Sequence, residues 1–81
     1  MKLEVQLFAA ARAITGQSLW PVDVPEGSTV ADLRSQLIQD CPKLESMAKV
    51  LLVAVNNQYS GDSRVLTESD SIACFPPVSG G

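Results

Sequence analysis

The chain has 81 residues, a formal net charge of −3 and 46% hydrophobic residues. One domain fits this length, and the apolar content predicts a packed globular body rather than a disordered chain. The six basic residues are scattered along the sequence, which argues against nucleic acid or an anionic membrane as a partner, because phosphate binding needs clustered Lys and Arg.

The residue types present also limit the chemistry. No apolar run reaches membrane-spanning length and no signal peptide is recognisable, so we expect a cytoplasmic protein with no membrane partner. Histidine is absent, which removes the usual general base and the commonest metal ligand. Cys41 and Cys74 form no Cys-x-x-Cys pair, so we expect no metal site and interpret both as buried thiols.

Two strands and a short helix are predicted in the first third of the chain. Polar and apolar residues alternate from Lys2 to Phe8, which predicts a half-buried strand with Leu3, Val5 and Leu7 facing the core. Phe8 has the parity of the polar side, so it either turns inward at the strand end or is an exposed aromatic residue.

A short helical turn follows over residues 9–14, with Gly16 as its C-cap. Residues 19–24 predict a second strand, and Pro21 marks it as an edge strand because proline lacks the backbone donor.

The main helix is predicted from residue 30 to about Asp40. Ser28 or Thr29 is the candidate N-cap, and Thr29 with Asp32 approximates a capping box. The apolar stripe at Val30, Leu33 and Leu37 has helical spacing. Pro42 then ends the helix, and a polar connection over residues 43–49 carries Leu44 and Met47 as candidate anchors.

The second half predicts three more strands. Residues 50–55 are apolar throughout, which is typical of a strand covered on both sides, or on one side by the helix and on the other by a partner. Asn56-Asn57 is a type I′ hairpin signal, so residues 58–60 should pair back. Val65 and Leu66 are expected to fill the core. Residues 72–75 form the last strand, with Ile72 and Cys74 on one face and Ala73 and Phe75 on the other.

These elements predict an α+β fold in which a mixed sheet of about five strands packs on one main helix, with the first and last strands parallel at its centre. We expect one domain over residues 1–75, followed by a C-terminal tail over residues 76–81.

The tail is the most informative stretch of the sequence. It runs Phe75-Pro76-Pro77-Val78-Ser79-Gly80-Gly81. The two prolines cannot continue a ladder, so they should project the chain away from the body with a stiff root, ahead of a flexible Gly-Gly end. An extended run from Pro76 to Gly81 reaches on the order of 20 Å. Because glycine lacks Cβ, a narrow partner channel can close around Gly80 and Gly81. The alternative is a frayed end of no function.

This C-terminal stretch resembles that of the MoaD-type sulfur carriers, the small subunits of molybdopterin synthase, which have the ubiquitin-like β-grasp fold. The segments Leu7-Phe8-Ala9-Ala10-Ala11-Arg12, Pro25-Glu26-Gly27 and Ala54-Val55-Asn56 are similar to family segments at like spacing. Two positions depart from the pattern. Ala13 stands where the family often has glutamate, and Ser69 where it often has glycine, which predicts a strained turn.

The resemblance implies that the carboxylate of Gly81 is adenylated by a ubiquitin-activating-enzyme-like adenylyltransferase that uses ATP. A persulfide sulfur donor then converts it to a thiocarboxylate, and the carrier holds no permanent cofactor. Two carriers on a dimer of the large subunit, a heterotetramer, would deliver sulfur to cyclic pyranopterin monophosphate in molybdenum cofactor biosynthesis. The chain would be the sulfur-carrying subunit of a sulfurtransferase and no enzyme by itself.

The candidate site residues follow from the tail and from the resemblance. Gly81 is the carrier residue. Gly80, Ser79, Val78, Pro77 and Pro76 are expected to contact the partners. Phe75 and Phe8 could form an exposed aromatic patch for docking, and their alternative is ordinary packing at a sheet end. Arg12 and Tyr59 are further candidate contacts; for Arg12 the alternative is a solvated helix charge.

Three other functions remain open from the sequence. The chain could carry sulfur for thiamine thiazole or for tRNA thiolation, it could be a ubiquitin-like modifier joined to lysines of other proteins, or it could be a passive interaction module.

Overall fold

Strands β1 (Lys2–Leu7) and β5 (Ile72–Phe75) run parallel to each other in a computed structural model that describes residues 1–76. They belong to a five-stranded sheet with the order β2-β1-β5-β3-β4, which places β5 at the centre. The other elements are α1 (Ala9–Thr15), β2 (Leu19–Asp23), α2 (Val30–Asp40), a 3₁₀ turn (Pro42–Leu44), α3 (Glu45–Ala48), β3 (Leu52–Val55) and β4 (Gln58–Tyr59). The predicted α+β fold with parallel first and last strands is confirmed.

The alternation of β1 places its apolar side chains in the core. Leu3, Val5 and Leu7 are buried, and the residues between them are exposed. Val5 lies opposite Ile72 in the parallel pair with β5. β2 pairs antiparallel with the other side of β1 and is an edge strand, so the position inferred from Pro21 is correct.

Helix α2 covers one face of this sheet and begins at the predicted cap. The Asp32 backbone N–H donates to Thr29 Oγ1 at 3.3 Å, and the Thr29 backbone N–H donates to Asp32 Oδ2 at 2.9 Å. Such a cap stabilises a helix by about 1 kcal/mol. The stripe of Val30, Leu33 and Leu37 is fully buried, so the helix is fixed to the sheet by its apolar face.

Helix α1 lies at the end of β1 and is bounded by two residues with positive φ. Gly16 has a φ of +73° and its N–H donates to the Arg12 carbonyl at 2.8 Å, which confirms the predicted glycine cap. Ala9, the first residue of the helix, has a φ of +52°, which costs a non-glycine residue about 1 kcal/mol. The chain therefore turns sharply at Phe8, directly before the helix.

The β3–β4 hairpin has the predicted turn. Asn56 and Asn57 both have positive φ, at +54° and +69°, as the type I′ turn requires. Gln58 then pairs with Val55 and Tyr59 with Ala54.

Three expectations for the second half were wrong. β3 begins at Leu52, and Val50 lies before the strand and is 54% exposed. Leu52 is 41% exposed, because within residues 1–76 no helix packs on the sheet face opposite α2. Val65 is 52% exposed while Leu66 is buried, since neighbours in extended backbone point in opposite directions. Ser69 is not among the residues with positive φ, so the turn is not strained there.

Arg34 of α2 ties together the segments that follow the helix. Its Nε donates to Asp62 Oδ1 at 2.8 Å and its Nη1 to the Ala48 carbonyl at 2.6 Å. Cys41 and Cys74 are both free and buried, as predicted. Within residues 1–76, no helix has the length and apolar character to cross a membrane.

Candidate docking surface

The face of the sheet opposite α2, which we call the outer face, carries small and aromatic side chains near the C-terminal end of β5. Strand register aligns four residues across it, namely Gln6, Ala73, Ala54 and Tyr59. In the neighbouring rank, Phe75 of β5 lies opposite Leu52 of β3. Side chains two residues apart on a strand share a face, so the sequence alternation of β1, β3 and β5 builds this surface.

Three aromatic rings meet on the outer face and form the aromatic cluster, Phe8, Tyr59 and Phe75. The rings of Phe8 and Phe75 are stacked, with centroids 4.7 Å apart and an interplanar angle of 7°. Tyr59 meets Phe75 edge to face with centroids 6.2 Å apart. Phe8 is 39% and Tyr59 72% exposed. A patch of exposed aromatic side chains is typical of a protein interaction surface.

A shallow depression of about 320 Å³ lies within this patch, between the aromatic rings. Ala54 and Ala73 form part of its lining, and Gln6, Asn57 and Ser71 contribute polar groups to it. The small alanine side chains leave room that a larger residue would fill. The depression, called the aromatic groove below, can therefore accept an apolar side chain from another protein and hydrogen-bond to its neighbours.

A hydrogen-bond network fixes the β3–β4 turn beside β5. Asn56 Nδ2 donates to Asp70 Oδ1 at 2.9 Å, and the Ser71 N–H donates to Asn56 Oδ1 at 2.9 Å. The Thr67 N–H donates to Asp70 Oδ2 at 2.7 Å. The backbone bond from Thr67, followed by the side-chain bond from Asn56, holds the pKa of Asp70 below its ordinary value. This network joins the β3–β4 turn to the segment that precedes β5.

Arg12 lies at the edge of the same surface. It is exposed on α1 and lines a cavity of about 260 Å³ together with Phe8 and Leu19. Within residues 1–76 its guanidinium forms no ion pair. The structure therefore brings Phe8, Phe75 and Tyr59 into contact and places Arg12 next to Phe8. That these residues bind a partner stays a prediction.

Leu52 is a member of this surface that sequence reasoning missed. It is 41% exposed and lies opposite Phe75. The sequence offered no signal for it, because residues 50–55 are apolar at both parities and the exposed parity is decided by which face α2 covers.

Pro76 directly follows β5, so the predicted tail begins at the aromatic cluster. The candidate residues Pro77, Val78, Ser79, Gly80 and Gly81 lie outside the described part of the chain. Their roles, including that of Gly81 as sulfur acceptor, stay predictions.

Cys74 precedes Phe75 but points into the core. It is fully buried, and burial raises the pKa of its thiol to about 11. Since the thiolate is the reactive form, Cys74 does not supply a nucleophile beside the tail.

Comparison with known proteins gives a consistent result. The sequence pattern of the ThiS family matches residues 5–81. The molybdopterin synthase sulfur carrier subunit of Arabidopsis thaliana is 35% identical over 81 residues, covering 100% of this chain and 84% of that protein. Small archaeal modifier protein 1 of Haloferax volcanii is 34% identical over 87 residues, covering 98% of this chain and 100% of the relative. The crystal structure of SAMP1 from Haloferax volcanii superposes with a TM-score of 0.86 and 31% identity, with 100% of both chains covered.

Proposed function

The chain belongs to the ThiS family, and we propose that it is the sulfur carrier subunit of a molybdopterin synthase, with Gly81 as its working C-terminus. The observation that carries the proposal is the aromatic cluster at the root of the tail: Phe8, Tyr59 and Phe75 expose a docking surface where the chain leaves β5. The full-length similarity to the Arabidopsis sulfur carrier subunit supports it.

In this function the chain presents an acyl carbon while its partners supply catalysis. The Gly81 carboxylate attacks the α-phosphorus of ATP on an adenylyltransferase, and pyrophosphate leaves. A persulfide sulfur then attacks the acyl carbon and AMP departs with the carboxylate oxygen. A second thiol cleaves the resulting acyl disulfide and is itself oxidised, leaving a thiocarboxylate. The large subunit of the synthase uses this sulfur on cyclic pyranopterin monophosphate.

The geometry supports a role in which one small chain serves two partners in turn. The tail must enter the active site of each partner, so the folded body needs a docking surface close to the tail and nothing that obstructs it. The aromatic cluster lies beside Pro76, and Phe75 itself ends the central strand. The body can therefore dock by its outer face while the tail reaches on the order of 20 Å beyond it.

The test is a truncation that removes Gly81 alone. The variant and the wild type are incubated with the activating enzyme, ATP and a persulfide donor, and each chain is weighed by mass spectrometry. The wild type should gain the mass difference of one sulfur replacing one oxygen, and the truncated chain should not. A chain extended by one residue beyond Gly81 is the matched control for a blocked end and should also stay unmodified. Thermal unfolding should be the same for all three chains, because the tail lies beyond the last strand. Loading of the truncated chain would refute the proposal.

A second candidate function is protein modification, which the similarity to small archaeal modifier protein 1 favours. A modifier forms an isopeptide bond to a lysine of another protein, so it produces covalent conjugates that survive denaturing electrophoresis and a reducing agent. A carrier changes only its own terminus. Binding to the large subunit of a molybdopterin synthase, compared with binding to a thiazole synthase, separates the proposed pathway from the thiamine alternative.

A further inference from the structure

Helix α1 begins at a residue whose backbone is strained. Ala9, its first residue, has a φ of +52°, in the left-handed region that favours glycine. Two other non-glycine residues within residues 1–76 have positive φ, Asn56 and Asn57, and asparagine tolerates this region. Ala9 is therefore the one non-glycine residue of that range that holds positive φ without a side chain suited to it. Strain of this kind is typical of functional sites.

The strain is not offset by packing of the Ala9 side chain, because Ala9 is exposed. A side-chain cap does not offset it either, since the N-cap residue, Phe8, has no side-chain oxygen. The Phe8 carbonyl instead accepts the backbone N–H of Ala11 at 3.2 Å. The conformation of Ala9 must therefore be imposed by the residues on either side of it.

Two anchors flank Ala9. Before it, the ring of Phe8 stacks on Phe75 at the outer face, with centroids 4.7 Å apart. After it, Ala11 is fully buried and belongs to the hydrophobic core. The first side chain lies on the outer face and the second in the core, so the chain must change direction within three residues. The left-handed backbone of Ala9 makes that change.

The segment that contains α1 is fixed at both ends, so it cannot relax by moving as a whole. The Leu7 N–H donates to the Ser18 carbonyl at 2.8 Å, which joins the end of β1 to the residue before β2. Gly16 ends the helix with its N–H on the Arg12 carbonyl. A strained residue persists where its surroundings over-determine it in this way.

We propose that Ala9 is a positioning residue of the docking surface, whose left-handed backbone holds the ring of Phe8 against Phe75. The docking consequence rests on the function proposed above, whereas the ring geometry does not. The stack is the weaker of the two anchors, since Phe8 is 39% exposed and Ala11 is fully buried. A residue that resists positive φ at position 9 should therefore displace the Phe8 ring and leave Ala11 in the core.

The first experiment compares Ala9→Val with Ala10→Val. Both positions are exposed at the start of α1 and both variants gain the same two methyl groups, but Ala10 is not among the residues with positive φ. A β-branched side chain resists positive φ more strongly than alanine does. Nuclear Overhauser contacts between the rings of Phe8 and Phe75 are measured in the free chain. We expect Ala9→Val to lose these contacts and Ala10→Val to keep them.

Glycine substitutions at the same two positions give the rescue and a milder pair. Ala9→Gly removes the strain, so it should keep the ring contacts and hold the melting temperature or raise it by up to about 5 °C. Ala10→Gly should lower the melting temperature, because glycine is unfavourable in a helix at ordinary φ. This pair decides the question even if Ala9→Val does not fold. Loss of the ring contacts in Ala9→Gly, or equal falls in melting temperature for both glycine variants, would overturn the inference.

Affinity for the large synthase subunit tests whether Ala9 acts through Phe8. Ala9→Val should lower the affinity roughly ten-fold and Ala10→Val less than about two-fold. When Phe8→Ala is already present, adding Ala9→Val should lower the affinity by less than about two-fold more, because the ring that Ala9 positions is absent. A further ten-fold loss in that background would contradict the inference, since Ala9 would then act independently of Phe8.

Ring contacts that survive unchanged in Ala9→Val would also overturn the inference. The contact and melting measurements use the free chain, so they decide the role of Ala9 whether or not the large subunit binds. A wild type that does not bind the large subunit would overturn the proposed function and the docking consequence, and would leave the positioning of Phe8 to be judged by the measurements on the free chain.

Discussion

Replacement of Phe75 by alanine should weaken docking far more than folding. The ring of Phe75 is half-buried and contacts Phe8 and Tyr59 on the outer face. A fully buried Phe loses about 3–5 kcal/mol of folding free energy when cut to Ala. Phe75 contributes less to the folding free energy, because its ring is only partly buried. Its stacking on Phe8 adds about 0.5–1.5 kcal/mol. We therefore expect the free energy of unfolding to fall by about 1–2 kcal/mol.

The same ring lies at the centre of the candidate docking surface, between Phe8 and Tyr59. Aromatic side chains in such positions cost about 2–4 kcal/mol of binding when cut to Ala, which lowers affinity roughly 30- to 1,000-fold. Since a domain of this size is stable by about 4–12 kcal/mol, the variant stays folded. Urea denaturation gives the free energy of unfolding, and calorimetric titration with the large subunit gives the binding affinity.

Trp20→Ala is the matched control. Trp20 is half-buried and packs against the core from the edge strand β2, on the face opposite Phe75. Its truncation should cost about 2–3 kcal/mol of stability and leave the affinity unchanged. Equal destabilisation of the fold by Phe75→Ala and Trp20→Ala, or equal affinity of the two variants for the partner, would refute a docking role for Phe75.

Three further predictions concern the body of the protein. Arg34→Ala should lower the free energy of unfolding by about 1–3 kcal/mol, measured in urea, because it leaves the Ala48 carbonyl and Asp62 without their donor. Hydrogen bonds lower the pKa of Asp70 in the folded state, so its stabilisation is present above the unfolded pKa of about 3.9 and is lost as the pH falls through the lower folded value. Asp70→Asn should therefore flatten the acid decline in melting temperature below about pH 4. Because burial raises the pKa of Cys74 to about 11, iodoacetamide at pH 8 should label Cys74 in urea and leave it unlabelled in the native protein.

Local sequence patterns predicted those elements whose boundaries depend on neighbouring residues. The capping box at Thr29, the glycine cap at Gly16 and the turn at Asn56-Asn57 all depend on chemistry within four residues, so they could be inferred from the chain alone. Residues 50–55 could not be divided correctly, because an apolar residue at every position gives no period from which to choose the exposed face.

The candidate docking surface depends partly on local sequence pattern and partly on strand pairing between distant residues. The sequence placed Phe8 on the polar parity of its strand and Phe75 on the face opposite Ile72 and Cys74, and it contains the Pro-Pro and Gly-Gly pairs of the tail. That the two rings stack, and that Tyr59 meets Phe75, depends on β1 and β5 being adjacent parallel strands and on β3 bringing β4 alongside. Those pairings join residues nearly 70 positions apart in the chain, and no local pattern specifies them.

Alone, then, the sequence determined the helix caps, the core parity of β1 and β5, and the composition of the tail, since each follows from side chains close in the chain. Only the tertiary structure decided which face of the sheet stays uncovered. Helix α2 buries its apolar stripe against one face, and in the described part of the chain no second helical layer covers the other face. Leu52 and the aromatic groove lie on that second face for this reason.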